Sequence, residues 1–218
     1  MTFTSHLRDR ADTLWNKSFH HPFVVELAQG TLPTEKFVHY VQNDSYYLTV
    51  FAKVQSLGAA KTNDLHTIGR MAFHAESTIN AEQALHETFF EMLGLSRDEK
   101  FLPAPTAYRY TTHLRSVAAE GTLGEVIAAI LPCYWLYYEI GIRYKDATPN
   151  HPIYDKWIAT YGDEWFEKLV KEQIARLDDL AERASEDERQ RMEQHFLISS
   201  EYELAFWEMA YSLEKWAF

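Results

Sequence analysis

The chain has 218 residues, of which 46% are hydrophobic, and its formal net charge is −11 at pH 7. The apolar content is sufficient for a packed core and excludes intrinsic disorder, and the low counts of glycine (8) and proline (7) exclude turn-rich sandwiches and barrels. The negative charge disfavours nucleic acids and anionic membranes as partners, and a single cysteine cannot form an intramolecular disulfide. The sequence has no signal-peptide pattern, so we expect a soluble, cytoplasmic protein.

Apolar residues recur at helical spacing along almost the entire chain. The pattern predicts a first helix over residues 3–15, a long second helix with Thr34 as its N-cap, and a third helix over residues 63–93 that ends at Gly94. Residues 95–105 predict a loop, and the remaining predicted helices cover residues 110–120, 123–144, 154–161, 166–184 and 188–215. The longest apolar run, residues 126–138, is shorter than the roughly 20 residues of a membrane span. No linker or internal repeat divides the sequence, so we predict one all-α helical bundle over residues 1–218.

Three polar residues interrupt the apolar faces of different predicted helices: Asp44, Cys133 and Glu203, each with tyrosines close by. Each alone has an ordinary structural explanation, either a small inert core thiol or a carboxylate that accepts a hydrogen bond from a tyrosine or tryptophan. Three of them on separate helices of one bundle indicate a pocket instead. Pockets between bundle helices, lined by aromatic rings and a few polar groups, are where small ligands bind.

These residue types also suit covalent catalysis. A thiol becomes a nucleophile when neighbouring donors stabilise its thiolate, and a carboxylate in apolar surroundings has a raised pKa that lets it exchange protons near neutral pH. Asp44 is able to bind a ring nitrogen beside an amino group, and aromatic faces hold a flat heterocycle. The residues therefore support a hypothesis of covalent catalysis on a flat, nitrogen-rich ring, without identifying that ring.

Four ordered segments resemble one known family. Residues 37–48 resemble its F-x-x-Y-x-x-Q-D-x-x-Y-L pattern, with Asn43 in place of the glutamine, and residues 131–137 resemble its P-C-x-x-x-Y segment. Residues 151–161 resemble H-P-Y-x-x-W-I-x-x-Y, and residues 200–210 resemble Y-E-x-x-F-W-x-M-A. Over nearly its whole length the chain is similar to the TenA (thiaminase II, aminopyrimidine aminohydrolase) family, in its cysteine-bearing branch.

The resemblance implies a heme-oxygenase-like helical fold, a homotetramer, and catalysis without a metal or cofactor. It implies hydrolysis of 4-amino-5-aminomethyl-2-methylpyrimidine to the hydroxymethyl pyrimidine in thiamine salvage, and many members also cleave thiamine. Cys133 would be the nucleophile, Glu203 the acid and base, and Asp44 the group that binds the ring nitrogen and the 4-amino group. Tyrosines would flank the ring, support the thiol and contact the substrate or the glutamate; they are Tyr47, Tyr110, Tyr137 and Tyr161.

Two other interpretations remain open. Glu82 and His86 lie four residues apart on one predicted helix, which is the spacing of a metal-ligating pair and would fit a heme-oxygenase-like, metal-dependent oxidase. An ordinary hydrogen bond on that helix explains the same spacing. A non-catalytic, pyrimidine-binding or regulatory protein would use the same pocket without needing the thiol. Fast alkylation of Cys133 that the pyrimidine blocks would indicate catalysis, and the metal content of the purified protein would test the oxidase.

Overall fold

The computed structural model describes residues 1–94 and 101–218, without the side chains of residues 82–87. These described residues contain no β-strand and form an all-α bundle. Its helices, in chain order, are α1 (Phe3–Phe19), α2 (Pro22–Gln29), α3 (Thr34–Ala59), α4 (Leu65–Leu93), α5 (Pro105–Glu120), α6 (Leu123–Arg143), α7 (Pro152–Tyr161), α8 (Glu164–Arg183) and α9 (Glu186–Ser212). The predicted fold class is therefore confirmed.

The helix ends show where local chemistry overrides or supports the sequence pattern. Asp64 caps α4, because its carboxylate accepts a hydrogen bond of 2.8 Å from the Thr67 amide, and Gly94 ends α4 as predicted, with a φ of 66°. The N-cap assignment of Thr34 is wrong. Thr34 is already the first helical residue of α3, and the extended residue before it is Pro33, which makes no side-chain cap.

Helix α2 is absent from the predicted set. It has only eight residues, too few for a clear periodicity, and its ends carry the stronger signals. Pro22 occupies its first turn, where the missing amide hydrogen costs nothing, and Gly30 ends it with a φ of 74°. In the same way Pro105 belongs to the first turn of α5 rather than to the loop predicted to include it.

Helix α6 lies at the centre of the bundle, in contact with α3, α5, α7, α8 and α9. It is the one helix in the described part of the chain that is long and apolar enough by composition to cross a membrane, and 72% of its most apolar window is buried inside the bundle. Packing against five neighbours thus accounts for its apolar character. This central helix carries Cys133 and Tyr137, so both lie where helices converge.

Candidate active site

A cavity of about 90 Å³ opens beside α6. It is several times larger than the roughly 10–15 Å³ that holds one water, so it suits a small molecule. Four of the predicted site residues line it, namely Asp44 from α3, Cys133 and Tyr137 from α6, and Tyr161 at the end of α7. The structure therefore brings together, around one space, side chains that are more than a hundred residues apart in the sequence.

The other three predicted site residues lie beside this cavity rather than on its wall. Glu203 is 2% exposed, and its Oε1 accepts a hydrogen bond of 2.8 Å from the Tyr110 hydroxyl. The Tyr110 ring packs 4.9 Å from the Tyr47 ring, centroid to centroid. The buried Tyr47 hydroxyl makes no hydrogen bond of normal geometry within the described part of the chain, but it is near enough to the Cys133 thiol to influence its ionisation. Glu203, Tyr110, Tyr47 and Cys133 thus form one continuous polar cluster.

The environment of Cys133 keeps its thiol protonated. Burial is the largest effect and raises the pKa well above its ordinary value, and the nearby carboxyl of Glu203 raises the pKa further. The nearby Tyr47 hydroxyl acts in the opposite direction and lowers the pKa of the thiol. The side chain is nevertheless partly accessible, because it borders the cavity. The free site therefore holds a neutral thiol beside a ligand cavity, and the sulfur has to give up its proton when it attacks a bound ligand.

Glu203 has the ionisation behaviour of a general acid. Burial raises the pKa of its carboxyl, the Tyr110 hydrogen bond lowers the pKa, and the charge of Asp44 raises it, with a net pKa of about 8. At neutral pH this carboxyl therefore holds a proton that it is able to donate, and its conjugate base is basic enough to take the proton back. This matches the behaviour expected from the sequence for a carboxyl group among apolar side chains.

Two tyrosine rings, those of Tyr137 and Tyr161, form part of the cavity wall. The rings of Tyr137 and Tyr161 meet edge to face at 4.9 Å, and the Tyr137 hydroxyl lies 3.3 Å from that of Tyr40. Trp157 donates a hydrogen bond of 3.4 Å to the same Tyr40 oxygen. Asp44 is 5% exposed and lies close to these tyrosines. Burial raises the pKa values of Tyr40, Tyr137 and Tyr161, and the charge of Asp44 raises them further. The carboxyl group therefore sits among flat, weakly polar surfaces.

A glycine allows Tyr161 to approach the cavity. Gly141 of α6 lies directly against the backbone at the end of α7, where a β-carbon on residue 141 would overlap with the main chain of Tyr161 and Gly162. No side chain is able to relieve this overlap, because the atoms in the way are backbone. Gly141 thus sets how closely α7 packs on α6, and with it the position of the Tyr161 ring.

Sequence reasoning missed the half of the cavity that faces α4 and α8. Side chains from these two helices complete the lining, and they include Ser77, Thr78, Trp165, Phe166 and Leu169. Trp165 is 47% exposed, so it stands where the cavity meets the solvent. These residues carry no single pattern in the sequence, because an apolar or hydroxyl side chain on a helix looks the same in a core as in a ligand pocket.

No metal site is found among the residues that the structure describes. These contain no group of three or more histidine, cysteine, aspartate or glutamate side chains placed to hold an ion. The predicted alternative pair, Glu82 and His86, lies outside the described side chains.

Comparison with known proteins shows the family to which the chain belongs. The sequence model of the TENA/THI-4/PQQC family matches residues 8–213. The chain belongs to this family. A protein named aminopyrimidine aminohydrolase from Bacillus subtilis (strain 168) is 52% identical over 219 residues, which cover 100% of this chain and 93% of that protein. A second protein of that name, from Helicobacter pylori, is 31% identical over 97% of this chain and 99% of its own length.

Solved structures place this TENA/THI-4/PQQC family member in the expected fold. A TenA homologue from P. horikoshii OT3 superposes with a TM-score of 0.86 at 30% identity, covering 97% of this chain and 99% of that one. A domain of unknown function with a heme oxygenase-like fold, from Shewanella denitrificans OS217, has a TM-score of 0.77 at 16% identity over 96% and 92% of the two chains. The second likeness concerns the fold alone, and it confirms the heme-oxygenase-like bundle.

Proposed function

We propose that this chain is an aminopyrimidine aminohydrolase that converts 4-amino-5-aminomethyl-2-methylpyrimidine to the hydroxymethyl pyrimidine, with release of ammonia, in thiamine salvage. The observation that carries the proposal is the convergence of Cys133 and Asp44 on one small aromatic cavity, with the hydrogen-bonded Glu203–Tyr110 pair beside it. The arrangement offers a nucleophile, a proton donor and a carboxylate that binds a heterocycle. Family membership supports the same reaction.

The cavity walls suit recognition of the flat ring. The Asp44 carboxylate would accept one hydrogen bond from the 4-amino group and a second from the adjacent ring nitrogen once that nitrogen carries a proton. Tyr137 and Tyr161, which line the cavity, would hold the ring by face and edge contacts. In this orientation the aminomethyl carbon and the neighbouring C6 would face the polar cluster of Cys133 and Glu203.

The proposed reaction divides one difficult displacement into easier steps. The Cys133 sulfur adds to C6 of the pyrimidine while the thiol proton passes to a ring nitrogen, which converts the aromatic ring into an enamine-like system. This system expels the amine from the exocyclic methylene as Glu203 donates its proton to the departing nitrogen. Water then adds to the methylene with Glu203 as the base, and rearomatisation breaks the C6–sulfur bond and releases the thiol.

The ionisation states of the free protein fit this sequence of steps. Because burial raises the pKa of both Cys133 and Glu203, both groups hold their protons at the start of the cycle. The thiol proton therefore leaves as the sulfur attacks, and the site does not store two like charges side by side. Tyr47, whose hydroxyl has no other partner of normal geometry among the described residues, would stabilise the sulfur during attack.

The direct test of the nucleophile is Cys133→Ser, the smallest change that removes the thiol. We expect this variant to lose almost all ammonia release while it still binds the hydroxymethyl product, because the groups that bind the ring are untouched. Isothermal titration calorimetry measures the binding, and a coupled ammonia assay measures the turnover. Wild-type turnover in the variant would refute the role of Cys133, and a wild type that binds the pyrimidine without turnover would instead indicate a binding protein.

We further propose that the chain forms a homotetramer, as the family resemblance implies. Apolar side chains that remain exposed on the outer face of α3 and α4 support self-association; Leu57 is 49% exposed and Ile79 is 47% exposed, and both line one shallow groove. Sedimentation equilibrium is the test. A single species of about four chains is expected, and a monomer at all concentrations would contradict the proposal.

A further inference from the structure

The residue after Cys133 is tied into a buried hydrogen-bond network that the reaction above does not use. Tyr134 lines the cavity with its ring, and its hydroxyl lies 3.0 Å from His74 Nδ1 and also accepts a hydrogen bond from Gln55 Nε2. Thr78 donates to Gln55 Oε1 at 3.1 Å. Gln55 and His74 are fully buried, so their polar groups need these partners to offset the cost of leaving water.

The network continues from His74 to the edge of the molecule. His74 Nε2 lies 3.4 Å from an oxygen of Glu172 on α8, and Glu172 is 25% exposed. Two arginines hold this carboxylate. Arg70 contacts both of its oxygens, at 2.8 and 2.6 Å, and Arg176 contacts one at 2.7 Å. Helices α3, α4 and α8 are thereby all linked to the Tyr134 hydroxyl on α6.

His74 Nε2 makes no hydrogen bond of normal geometry among the described residues, so its link to Glu172 is a close polar contact. The charges nevertheless determine which atoms donate and which accept along this network. Burial raises the pKa of Glu172, but the hydrogen bonds from Arg70 and Arg176 outweigh burial and hold the pKa at about 2, so the carboxylate only accepts. Burial lowers the pKa of His74 to about 4, so the imidazole is neutral and carries one proton. That proton belongs on Nε2, facing Glu172, which leaves Nδ1 as the acceptor for the Tyr134 hydroxyl.

The backbone of α6 needs support at this position. Pro132 lies inside the helix and has no amide hydrogen, so the turn that carries Cys133 lacks one of its backbone hydrogen bonds. A helix is free to bend or shift where its hydrogen-bond ladder is interrupted. Tyr134 is anchored to three other helices within two residues of that interruption, which is where an anchor restrains Cys133 most strongly.

We propose that the network from Glu172 through His74 to Tyr134 positions the Cys133 thiol, with His74 as its central positioning residue. The proposal rests on the assignment of Cys133 as the nucleophile. None of the three residues takes part in the chemistry. Their role is to hold the interrupted turn of α6 so that the sulfur stays within reach of the bound ring and of Tyr47.

The test compares two tyrosine hydroxyls of similar burial. Tyr134→Phe removes the hydroxyl at the inner end of the network. Tyr154→Phe serves as the matched control, because it removes a hydrogen bond of 2.8 Å to the Leu32 carbonyl and lies outside the cavity lining. We expect Tyr134→Phe to lower kcat about tenfold and to change KM less than about twofold. This decrease in kcat is smaller than the roughly hundredfold loss of rate that a displacement of about 1 Å causes. Tyr154→Phe is expected to lower the Tm by a similar amount and to leave kcat unchanged.

Variants of His74 separate positioning from simple loss of stability. His74→Asn keeps an acceptor on the branch of the side chain that bears Nδ1 and is expected to restore most of kcat, whereas His74→Leu is expected to behave like Tyr134→Phe. The double variant Tyr134→Phe with His74→Leu should have no lower kcat than either single variant, since each substitution breaks the same network. If the buried variants do not fold, Glu172→Gln, at a partly exposed position, tests the same network from its solvent-facing end.

Alkylation of Cys133, the only cysteine, gives a readout that needs no turnover. We expect Tyr134→Phe to increase its alkylation rate at least about twofold, because a released turn exposes the thiol, and Tyr154→Phe to leave the rate unchanged. Equal effects of the two tyrosine variants on kcat and on alkylation would overturn the proposal. Altered alkylation in a protein whose turnover does not depend on Cys133 would leave the positioning intact and refute the proposed reaction instead.

Discussion

Replacing Glu203 by glutamine tests whether this buried carboxyl holds its proton in the folded state. Glutamine has nearly the same shape and keeps an oxygen that accepts the Tyr110 hydrogen bond. The pKa of Glu203 rises from an ordinary 4.5 to about 8 on folding, so the folded protein binds the proton more tightly than the unfolded chain does. At about 1.4 kcal/mol per pKa unit, this shift amounts to at most about 5 kcal/mol.

The pH dependence of the unfolding free energy follows from which state, folded or unfolded, binds the proton more tightly. The contribution of Glu203 to stability is fully present below the unfolded pKa of 4.5 and is lost as the pH rises through about 8. Relative to Glu203→Gln, the wild type should therefore lose about 3 kcal/mol of unfolding free energy between pH 5 and pH 8. The histidines with lowered pKa values, such as His74 and His113, are present in both proteins and cancel in the difference.

Urea unfolding at fixed protein concentration, at unit steps from pH 5 to pH 8, measures this difference. A fixed concentration matters because association would add its own stability. We predict that the unfolding free energy of the wild type minus that of the variant falls by about 3 kcal/mol from pH 5 to pH 8. Two parallel curves of unfolding free energy against pH would show that Glu203 does not titrate in this range, and the argument for a protonated general acid would fail.

Three further changes have definite expected outcomes. Tyr110→Phe removes the hydrogen bond that lowers the pKa of Glu203, so the alkaline limb of the kcat–pH profile should move upward by roughly half to one pH unit; an unmoved limb would mean that Glu203 does not control it. Asp44→Asn should weaken binding of the pyrimidine about 10- to 100-fold by calorimetry, because a charge-assisted bond is lost, and unchanged affinity would exclude Asp44 from the binding site. Gly141→Ala should destabilise the protein by about 1–3 kcal/mol and raise KM, since the new methyl group displaces Tyr161 from the cavity, whereas a wild-type Tm and KM would refute that packing argument.

Patterns within single helices were sufficient to predict the class of fold and most of the helices. The strongest functional signal was a polar residue on an otherwise apolar face, and the three residues found in this way, Asp44, Cys133 and Glu203, lie in or beside one cavity. This signal is physical, since a buried carboxyl group is costly unless something compensates for it. Family resemblance added the tyrosines, which periodicity alone assigns to the core.

Partners from distant parts of the chain could not be predicted. His74 carries no distinguishing pattern in the sequence, because its contacts are Tyr134 and Glu172, which are 60 and 98 residues away in the chain. Trp165 at the mouth of the cavity carries no distinguishing pattern in the sequence. The cap of α3 was misplaced by one residue, because a proline with its fixed φ replaces the usual side-chain cap. Such features depend on how helices meet, which local periodicity does not record.

The most direct test of the account is ammonia release from the aminomethyl pyrimidine by the purified protein, measured beside Cys133→Ser and with and without added iron. The account predicts release that requires Cys133 and does not respond to iron. No release from a folded wild-type protein, or equal release from the Cys133→Ser variant, would contradict the central claim that this cavity performs covalent hydrolysis through its one cysteine.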